Sequence, residues 1–210
     1  MLKLSSRLLV VTDRHETLGR PLIPLLQRVL TVGLPMIQLR ERDLSVRELV
    51  TLVREVQTAT TSSRFQLLIN DRIDVALALE GIGVHLRSNS LPVSAARRLL
   101  GPRRLLGISA HTVDEATEGE SQGADYIVLG PIYETPSKKI FGSPLGIHTL
   151  EKACRSVHIP IFGIGGVTAV RACEMRRAGA FGAAVITAVL SAHDVESATR
   201  ELLDAVTRVP

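Results

Sequence analysis

The chain has 210 residues, of which 45% are hydrophobic, enough to bury the core of one domain over residues 1–210. Its formal net charge is +4 and its isoelectric point is near 9.5. Basic proteins often bind nucleic acid, but here aromatic residues make up only 3% and Trp is absent, so there is no base-stacking surface. We therefore expect small anionic substrates as partners, and no nucleic acid.

The amino terminus and the cysteines restrict where the protein works. The segment MLKLSSRLLVVTD contains an apolar run of only four or five residues, too short for a signal peptide or a membrane span. Cys154 and Cys173 have no CxxC spacing, which argues against a disulfide framework or a zinc site. These features predict a soluble cytoplasmic protein without a membrane partner, and they leave a homo-oligomer open.

Short apolar runs alternate along the chain with amphipathic stretches of helical length. Eight runs are candidate strands, in chain order RLLVVTD, MIQLRER, QLLIND, GVHLR, RLLGISA, YIVLGPIYE, PIFGIGGV and GAAVITAVL. Helical patterns include SVRELVTLVREVQTA and DVESATRELLDAVTRV, and Ser, Thr or Asp precedes several of them. The alternation predicts an α/β fold, a single-domain (β/α)8 TIM barrel with brief loops. An open doubly wound sheet is the second choice, because no GxGxxG follows the first strand.

Polar residues follow the second candidate strand, where a barrel would open at the carboxyl ends of its strands. Gln38, Arg40 and Arg42 alternate in sequence, so their side chains are expected to point the same way. Two arginines at one rim favour the binding of an anion. The alternative is a structural ion pair with the neighbouring Glu41 or Asp43.

The third and fifth candidate strands also end in polar residues. Asn70 and Asp71 end the third strand, and Asp71 either caps the next helix or binds Mg²⁺, which prefers carboxylate oxygen beside a phosphate. Ser109 and His111 end the fifth strand and alternate toward the same opening. A histidine hydrogen-bonded beneath a loop is the expected role of His111, and a general base is the alternative.

The stretch LGPIYETPSKKIFGSPLG starts as the sixth candidate strand and becomes a loop rich in Gly and Pro. Thr135, Ser137 and Lys138 supply two hydroxyls and an ammonium group on this loop. Such a loop is suited to close over an anion, although a solvated lysine pair is the alternative reading.

The last two candidate strands supply backbone amide groups. The seventh strand ends in IGGV, with Gly165 and Gly166, and the eighth reaches Ile186 and Thr187. Backbone amides after the last two strands form the recurrent phosphate site of these barrels. With the arginines across the opening, they predict two anion sites and hence two phosphorylated substrates.

These motifs resemble the thiamine phosphate synthase and TenI superfamily over nearly the whole chain. GADYIVLGPIYETPSK is the most specific match, and VVTDR, IQLRER, LLINDRIDVAL, GVHL, GISAHT, IGGV and AAVITA also fit. The resemblance implies a transferase that joins hydroxymethylpyrimidine diphosphate to thiazole phosphate and releases pyrophosphate. The product is thiamine phosphate, an intermediate of thiamine biosynthesis, and the family's chemistry is dissociative, so the site stabilises departing pyrophosphate.

The resemblance also implies a role for each site residue. The pyrimidine diphosphate would be held by Gln38, Arg40, Arg42, Asn70, Ser109 and Lys138. The thiazole phosphate would be held by Thr135, Ser137, Gly166, Ile186 and Thr187. Within these sets Arg40, Ser109 and Lys138 are the predicted catalytic residues, and Asp71 is the predicted Mg²⁺ ligand.

The segment GVHLRSNSL departs from the family pattern. Synthases that this chain resembles carry Gly, Gln and Asp where it has Arg87, Ser88 and Ser90, so the second Mg²⁺ carboxylate is absent. The TenI branch, with thiazole tautomerase chemistry, often lacks the metal pair, but Pro131 stands in place of its histidine. A tautomerase and a non-catalytic phospholigand-binding or regulatory protein are therefore the alternatives. Arg87 either takes over part of the metal's electrostatic role or extends into solvent.

Overall fold

A computed structural model describes residues 3–33, 36–60, 65–135 and 143–208. Within these ranges, eight parallel strands form a closed barrel in which each strand pairs with the next and β1 pairs with β8. The strands are β1 (Leu8–Val11), β2 (Met36–Leu39), β3 (Leu67–Asn70), β4 (Ile82–Leu86), β5 (Leu106–Ala110), β6 (Tyr126–Leu129), β7 (Ile161–Ile164) and β8 (Gly182–Val185). The predicted single-domain (β/α)8 TIM barrel is confirmed.

The helices surround the barrel, and most of them follow a strand directly. They are α1 (Leu22–Val32), α2 (Val46–Ala59), α3 (Ile73–Ala78), α4 (Val93–Leu100), α5 (Val113–Ser121), α6 (Gly146–Ser156), α7 (Ala169–Arg177), α8 (Thr187–Leu190) and α9 (Val195–Thr207). A short 3₁₀ turn at Arg14–Glu16 follows β1. Several connections are brief, as the length of the chain predicted, but the one between β6 and α6 spans residues 130–145.

The strands read as continuous apolar runs because both of their faces are buried. One core layer lies between the barrel and the helices. The other fills the barrel interior and consists of Leu4, Leu9, Val11, Met36, Leu68, Leu105, Tyr126, Val128, Phe162 and Ala184. Since the interior is packed with side chains, ligands can bind only at its ends.

Polar side chains fix the starts of several helices. The Ser45 side chain accepts a hydrogen bond from the Glu48 amide, and the Glu48 carboxylate accepts one from the Ser45 amide. These two bonds form a capping box at the start of α2. The Thr112 side chain accepts from the Glu115 amide at the start of α5, and the Asp194 side chain accepts from the Glu196 and Ser197 amides at the start of α9. The carboxyl ends of the eight parallel strands lie at one end of the barrel, which is called the mouth below.

The two cysteines lie on helices outside the barrel. Cys154 and Cys173 lie on α6 and α7 as free thiols. Burial raises the pKa of the Cys154 thiol to about 11. Across the described ranges, each helix is too short or too polar to cross a lipid bilayer.

Candidate active site

Arg40 lies at the mouth just after β2 and is held by a partner on the neighbouring loop. Its Nη1 donates to Asp13 Oδ2 at 3.2 Å, and the two side chains are 22% and 21% exposed. Burial, followed by the neighbouring Arg42, lowers the pKa of Arg40 from its ordinary value. Arg40 does form an ion pair, but its partner is Asp13 rather than the Glu41 or Asp43 considered from the sequence.

Glu41 and Asp43 instead bind Arg14. The Thr12 hydroxyl donates to Glu41 Oε1 at 2.6 Å, and the Arg14 amide donates to Glu41 Oε2 at 3.1 Å. The Arg14 guanidinium donates to both oxygens of Asp43, at 2.8 and 2.6 Å. Because these carboxylates are occupied, they are not available to neutralise Arg42.

A cavity of about 300 Å³ opens beside these residues at the β1 and β2 ends of the mouth. It is lined by Asp13, His15, Arg40, Glu41, Arg42 and Asp43. Arg42 is exposed, and its guanidinium makes no ion pair with any residue the structure describes. Three carboxylates also line the cavity, but Asp13 binds Arg40, and Glu41 and Asp43 bind Arg14. Among the described residues Arg42 is thus the cation of this cavity without an ion pair, which suits an anionic ligand.

Gln38 and Asn70 connect the second and third strands below this rim. Gln38 Nε2 donates to Asn70 Oδ1 at 3.1 Å. Gln38 Oε1 is buried and accepts no hydrogen bond from the described part of the chain. A buried acceptor without a partner is costly, so a ligand with an N–H or O–H donor would be favoured there.

Asp71 forms a cluster with Arg87 and Ser90 instead of capping α3. Its backbone is in the left-handed region (φ 63°), and its amide donates to the His85 carbonyl at 2.9 Å. Its Oδ2 accepts from Arg87 Nε at 2.8 Å and also from Nη2, while its Oδ1 accepts from the Ser90 hydroxyl. The N-cap of α3 is Arg72, without a side-chain cap, so the helix-capping interpretation of Asp71 is wrong. The expectation that Arg87 simply extends into solvent is also wrong.

Ser109 on β5 is hydrogen-bonded to a buried pair, His85 and Tyr126, that was not predicted from the sequence. The Ser109 hydroxyl lies 2.9 Å from His85 Nε2, and His85 Nδ1 lies 3.0 Å from the Tyr126 hydroxyl. Burial lowers the pKa of His85 to about 3, although the charge of Asp71 acts in the opposite direction. His85 is therefore neutral near pH 7. The available signal was a polar residue inside the apolar run GVHL.

His111 is hydrogen-bonded within the protein, as the sequence favoured. Its Nδ1 lies 2.6 Å from the Gly130 carbonyl oxygen, and its amide donates to Glu115. The ring thus connects the end of β5 to the start of the loop after β6. This contact supports a structural role rather than a general base.

The loop after β6 packs along β7, and this contact explains the two glycines. The amides of Ile132 and Tyr133 donate to the carbonyls of Ile164 and Gly165, at 2.7 and 3.2 Å. Gly166 has a φ of 61°, and a Cβ there would lie 2.5 Å from the carbonyl oxygen of Glu134. Gly166 is therefore required for close packing, whether or not a ligand approaches it.

Of the remaining predicted site residues, the structure describes three, Thr135, Ile186 and Thr187. Thr135 is the last described residue before the gap at 136–142, and Ser137 and Lys138 lie outside the described residues. Ile186 is the N-cap of α8 and Thr187 is its first residue, so both lie at the carboxyl end of β8. α8 has only four residues, and its Val189 and Leu190 amides already donate to the Ile186 carbonyl, at 3.2 and 2.9 Å.

Cations and hydroxyls at the carboxyl end of a TIM barrel are typical of barrel enzymes that bind small phosphorylated molecules. A family model described as thiamine monophosphate synthase matches residues 8–189, and the chain belongs to this family. The predicted family is therefore confirmed.

Curated relatives and a solved structure agree with the family match. The chain is 45% identical to a thiamine-phosphate synthase of Moorella thermoacetica, covering 90% of each chain. It is 41% identical to one of Roseiflexus castenholzii, covering 93% of this chain and 86% of the relative. Its fold is similar to that of the thiamine phosphate pyrophosphorylase from Pyrococcus furiosus, with a TM-score of 0.87, 33% identity, and coverage of 97% and 96%.

Synthases of this family generally depend on Mg²⁺, which makes the donors around Asp71 important. Both oxygens of Asp71 are already engaged, one by a guanidinium and the other by a hydroxyl. Within the described ranges, no group of three or more His, Cys, Asp or Glu side chains is arranged to hold a metal ion. These residues do not fit a Mg²⁺ site built on two carboxylates, and Asp71 as a Mg²⁺ ligand stays a prediction.

Proposed function

We propose that the protein is a thiamine-phosphate synthase of thiamine biosynthesis, a transferase that condenses hydroxymethylpyrimidine diphosphate with thiazole phosphate. The observation that carries this proposal is the family match over residues 8–189, which includes the carboxyl ends of all eight strands. In the reaction, the C–O bond between the pyrimidine methylene and the diphosphate breaks, and pyrophosphate leaves with the electron pair. The thiazole nitrogen then donates its lone pair to the methylene carbon, which gives thiamine phosphate.

Arg40 and Arg42 are proposed to bind the diphosphate and to stabilise the charge that grows on it as it leaves. Asp13 holds the Arg40 guanidinium in place, so little reorganisation is needed when the anion arrives. Arg42 has no competing ion pair among the described side chains. Lys138 is proposed from the sequence as a third cation on the β6 loop. Charge-assisted hydrogen bonds from these groups would stabilise pyrophosphate as the leaving group.

Ser109 is proposed as a hydrogen-bond donor to a diphosphate oxygen, oriented by His85. A neutral imidazole carries one N–H, so its two nitrogens have opposite roles. When Tyr126 donates to Nδ1, the Nε2–H donates to Ser109 Oγ, and the hydroxyl proton of Ser109 stays available to the substrate. The distances of 3.0 and 2.9 Å are compatible with this chain of hydrogen bonds.

Gln38 and Asn70 are proposed to bind the pyrimidine ring. The exocyclic amine of the pyrimidine is a donor, and Gln38 Oε1 is a buried acceptor that the described residues leave unpaired. Thr135, Ser137, Gly166, Ile186 and Thr187 are proposed to bind the thiazole phosphate. Ile186 and Thr187 lie at the carboxyl end of β8, where barrels of this kind commonly bind phosphate, and this position supports the second site.

The proposal assigns no catalytic step to Mg²⁺, because the side chains around Asp71 do not fit a two-carboxylate site. It also includes a cytoplasmic location and small phosphorylated molecules as partners. The two free cysteines are compatible with a reducing compartment.

The test is formation of thiamine phosphate from the two precursors, detected after oxidation to the fluorescent thiochrome form. The wild-type protein is expected to give a signal that Arg40→Ala largely abolishes. Arg103→Ala is the matched control, because Arg103 is exposed in the turn between α4 and β5, at the opposite end of the barrel. Absence of a signal from the wild type, with thiazole phosphate still bound, would favour a tautomerase or a binding protein instead.

A further inference from the structure

The loop after β4 places a cation on the carboxylate that was predicted to bind a metal. Arg87 directs Nε and Nη2 to Asp71 Oδ2, and the Ser90 hydroxyl binds Asp71 Oδ1. The loop is closed on itself, because the Arg87 amide donates to Ser90 Oγ at 3.0 Å and the Ser90 amide donates to the Arg87 carbonyl at 3.1 Å. Asp71, Arg87 and Ser90 are called the β4 cluster below.

The β4 cluster keeps one side of the guanidinium available. Nη1 of Arg87 makes no hydrogen bond with the described part of the chain, and the side chain is 48% exposed. A guanidinium can bind two anions at once through different N–H groups, since its donors form a rigid planar fork. Arg87 can therefore stay on Asp71 and still donate to a second anion.

The β4 cluster lies on the same side of the mouth as Arg40 and Arg42, the residues proposed to bind the diphosphate, and this side is called the diphosphate rim. Asn70 precedes Asp71 and hydrogen-bonds Gln38, which lies two residues before Arg40. The register places Asn70 beside His85, so the ends of β3 and β4 lie at the same level of the mouth. A ligand that reaches Arg40 along this edge would come to the ends of these two strands next.

We propose that Arg87 is a diphosphate-binding residue that takes the place of a metal ion at this rim, so that pyrophosphate binds without Mg²⁺. This inference rests on the proposed function, because that function supplies the diphosphate substrate. Nη1 donates to a phosphate oxygen while Nε and Nη2 stay on Asp71, and the cation thereby lies between two anions. Ser90 adds no charge and fixes the orientation of the Asp71 carboxylate.

The alternative is an ion pair that only stabilises the loop, and calorimetry with pyrophosphate in EDTA separates the two. The wild type is expected to bind pyrophosphate in EDTA with an affinity within about threefold of that in Mg²⁺. Loss of one charge-assisted hydrogen bond in Arg87→Gln is expected to weaken this metal-free binding about 10-fold to 150-fold. Arg103→Gln, which removes the same charge at the opposite end of the barrel, is expected to leave it unchanged.

Two further variants change the number of carboxylates in the β4 cluster. Asp71→Asn is expected to bind pyrophosphate in EDTA at least as tightly as the wild type, because a negative charge leaves the rim while Arg87 remains. Arg87→Gly combined with Ser90→Asp places two carboxylates together and is expected to make pyrophosphate binding depend on Mg²⁺ by tenfold or more. Circular dichroism checks that each variant is folded. Because the Arg87 side chain is 48% exposed, its replacement is expected to leave the fold intact.

The inference is overturned if the wild type binds pyrophosphate only with Mg²⁺, or if Arg87→Gln binds it as tightly as Arg103→Gln does in EDTA. Failure of the proposed function has a different signature. If Arg87 contributes to metal-free pyrophosphate binding but no thiamine phosphate forms from the two precursors, the anion site stands and the synthase assignment fails. If thiamine phosphate forms and Arg87→Gln changes neither binding nor Mg²⁺ dependence, the synthase assignment stands and this inference fails.

Discussion

His85 is expected to make the folded protein less stable as the pH falls. Its ring is buried against Tyr126 and Ser109, and burial lowers its pKa from 6.5 to about 3. The unfolded chain binds a proton at His85 below about pH 6.5, whereas the folded protein does not until about pH 3. Unfolding therefore takes up a proton in this interval, and stability decreases as pH is lowered through it. One pKa unit is worth about 1.4 kcal/mol, so lowering the pH from 7 to 5 costs about 2 kcal/mol at this residue.

Urea unfolding of the wild type and of His85→Gln at both pH values measures this cost. Other titrating groups are common to the two proteins, so the wild type is expected to lose about 2 kcal/mol more than the variant. His148→Gln is the control, because the side chain of His148 is 91% exposed on α6, and it should lose as much stability as the wild type. If His85→Gln and the wild type lose the same stability on acidification, the neutral buried imidazole is not the cause.

Two further predictions concern the mouth and its packing. Arg40→Ala and Lys138→Ala are each expected to weaken pyrophosphate binding by about 1.5–3 kcal/mol in calorimetry, and unchanged affinity in both would rule out an anion site at that rim. Gly166→Ala is expected to lower the melting temperature more than Gly146→Ala. Both glycines have a positive φ, 61° and 77°, but only at Gly166 would a Cβ meet the carbonyl oxygen of Glu134, at 2.5 Å. If Gly166→Ala and Gly146→Ala lower the melting temperature equally, close packing against Glu134 is not the reason for glycine at position 166.

The fold could be predicted because its signals are local. Each barrel strand is buried on both faces and appears as a short apolar run, and the helices are marked by their period and by caps such as Ser45 and Thr112. The eight predicted runs correspond to β1–β8 in order. The positions of site residues at strand ends followed from the same alternation, because a parallel barrel brings all carboxyl ends to one mouth.

The partners of the site residues could not be predicted, because they are brought together only when the barrel closes. Arg40 and Asp13 are 27 residues apart, and Arg87 and Asp71 are 16 residues apart. The sequence offered Glu41 as a partner of Arg40 because it is adjacent, yet adjacent residues on an extended chain point in opposite directions. The pairing of Arg40 with Asp13 and of Arg87 with Asp71 therefore needed the structure.

His85 was missed for a different reason. It lies within β4, whereas the functional side chains of a barrel are expected after the carboxyl ends of its strands. A histidine inside an apolar run must find hydrogen-bond partners when it is buried, and here these are Ser109 and Tyr126. The polar residue in GVHL was thus an indication of a buried network beneath the mouth.

The most direct test of the central claim is ³¹P nuclear magnetic resonance of the protein with hydroxymethylpyrimidine diphosphate and thiazole phosphate. If the protein is the proposed synthase, the diphosphate signals of the pyrimidine substrate disappear, while pyrophosphate and thiamine phosphate appear in equal amounts. A thiazole phosphate signal that changes without release of pyrophosphate would contradict the synthase and indicate an isomerase. Spectra that stay unchanged, with both substrates bound, would contradict any transferase activity.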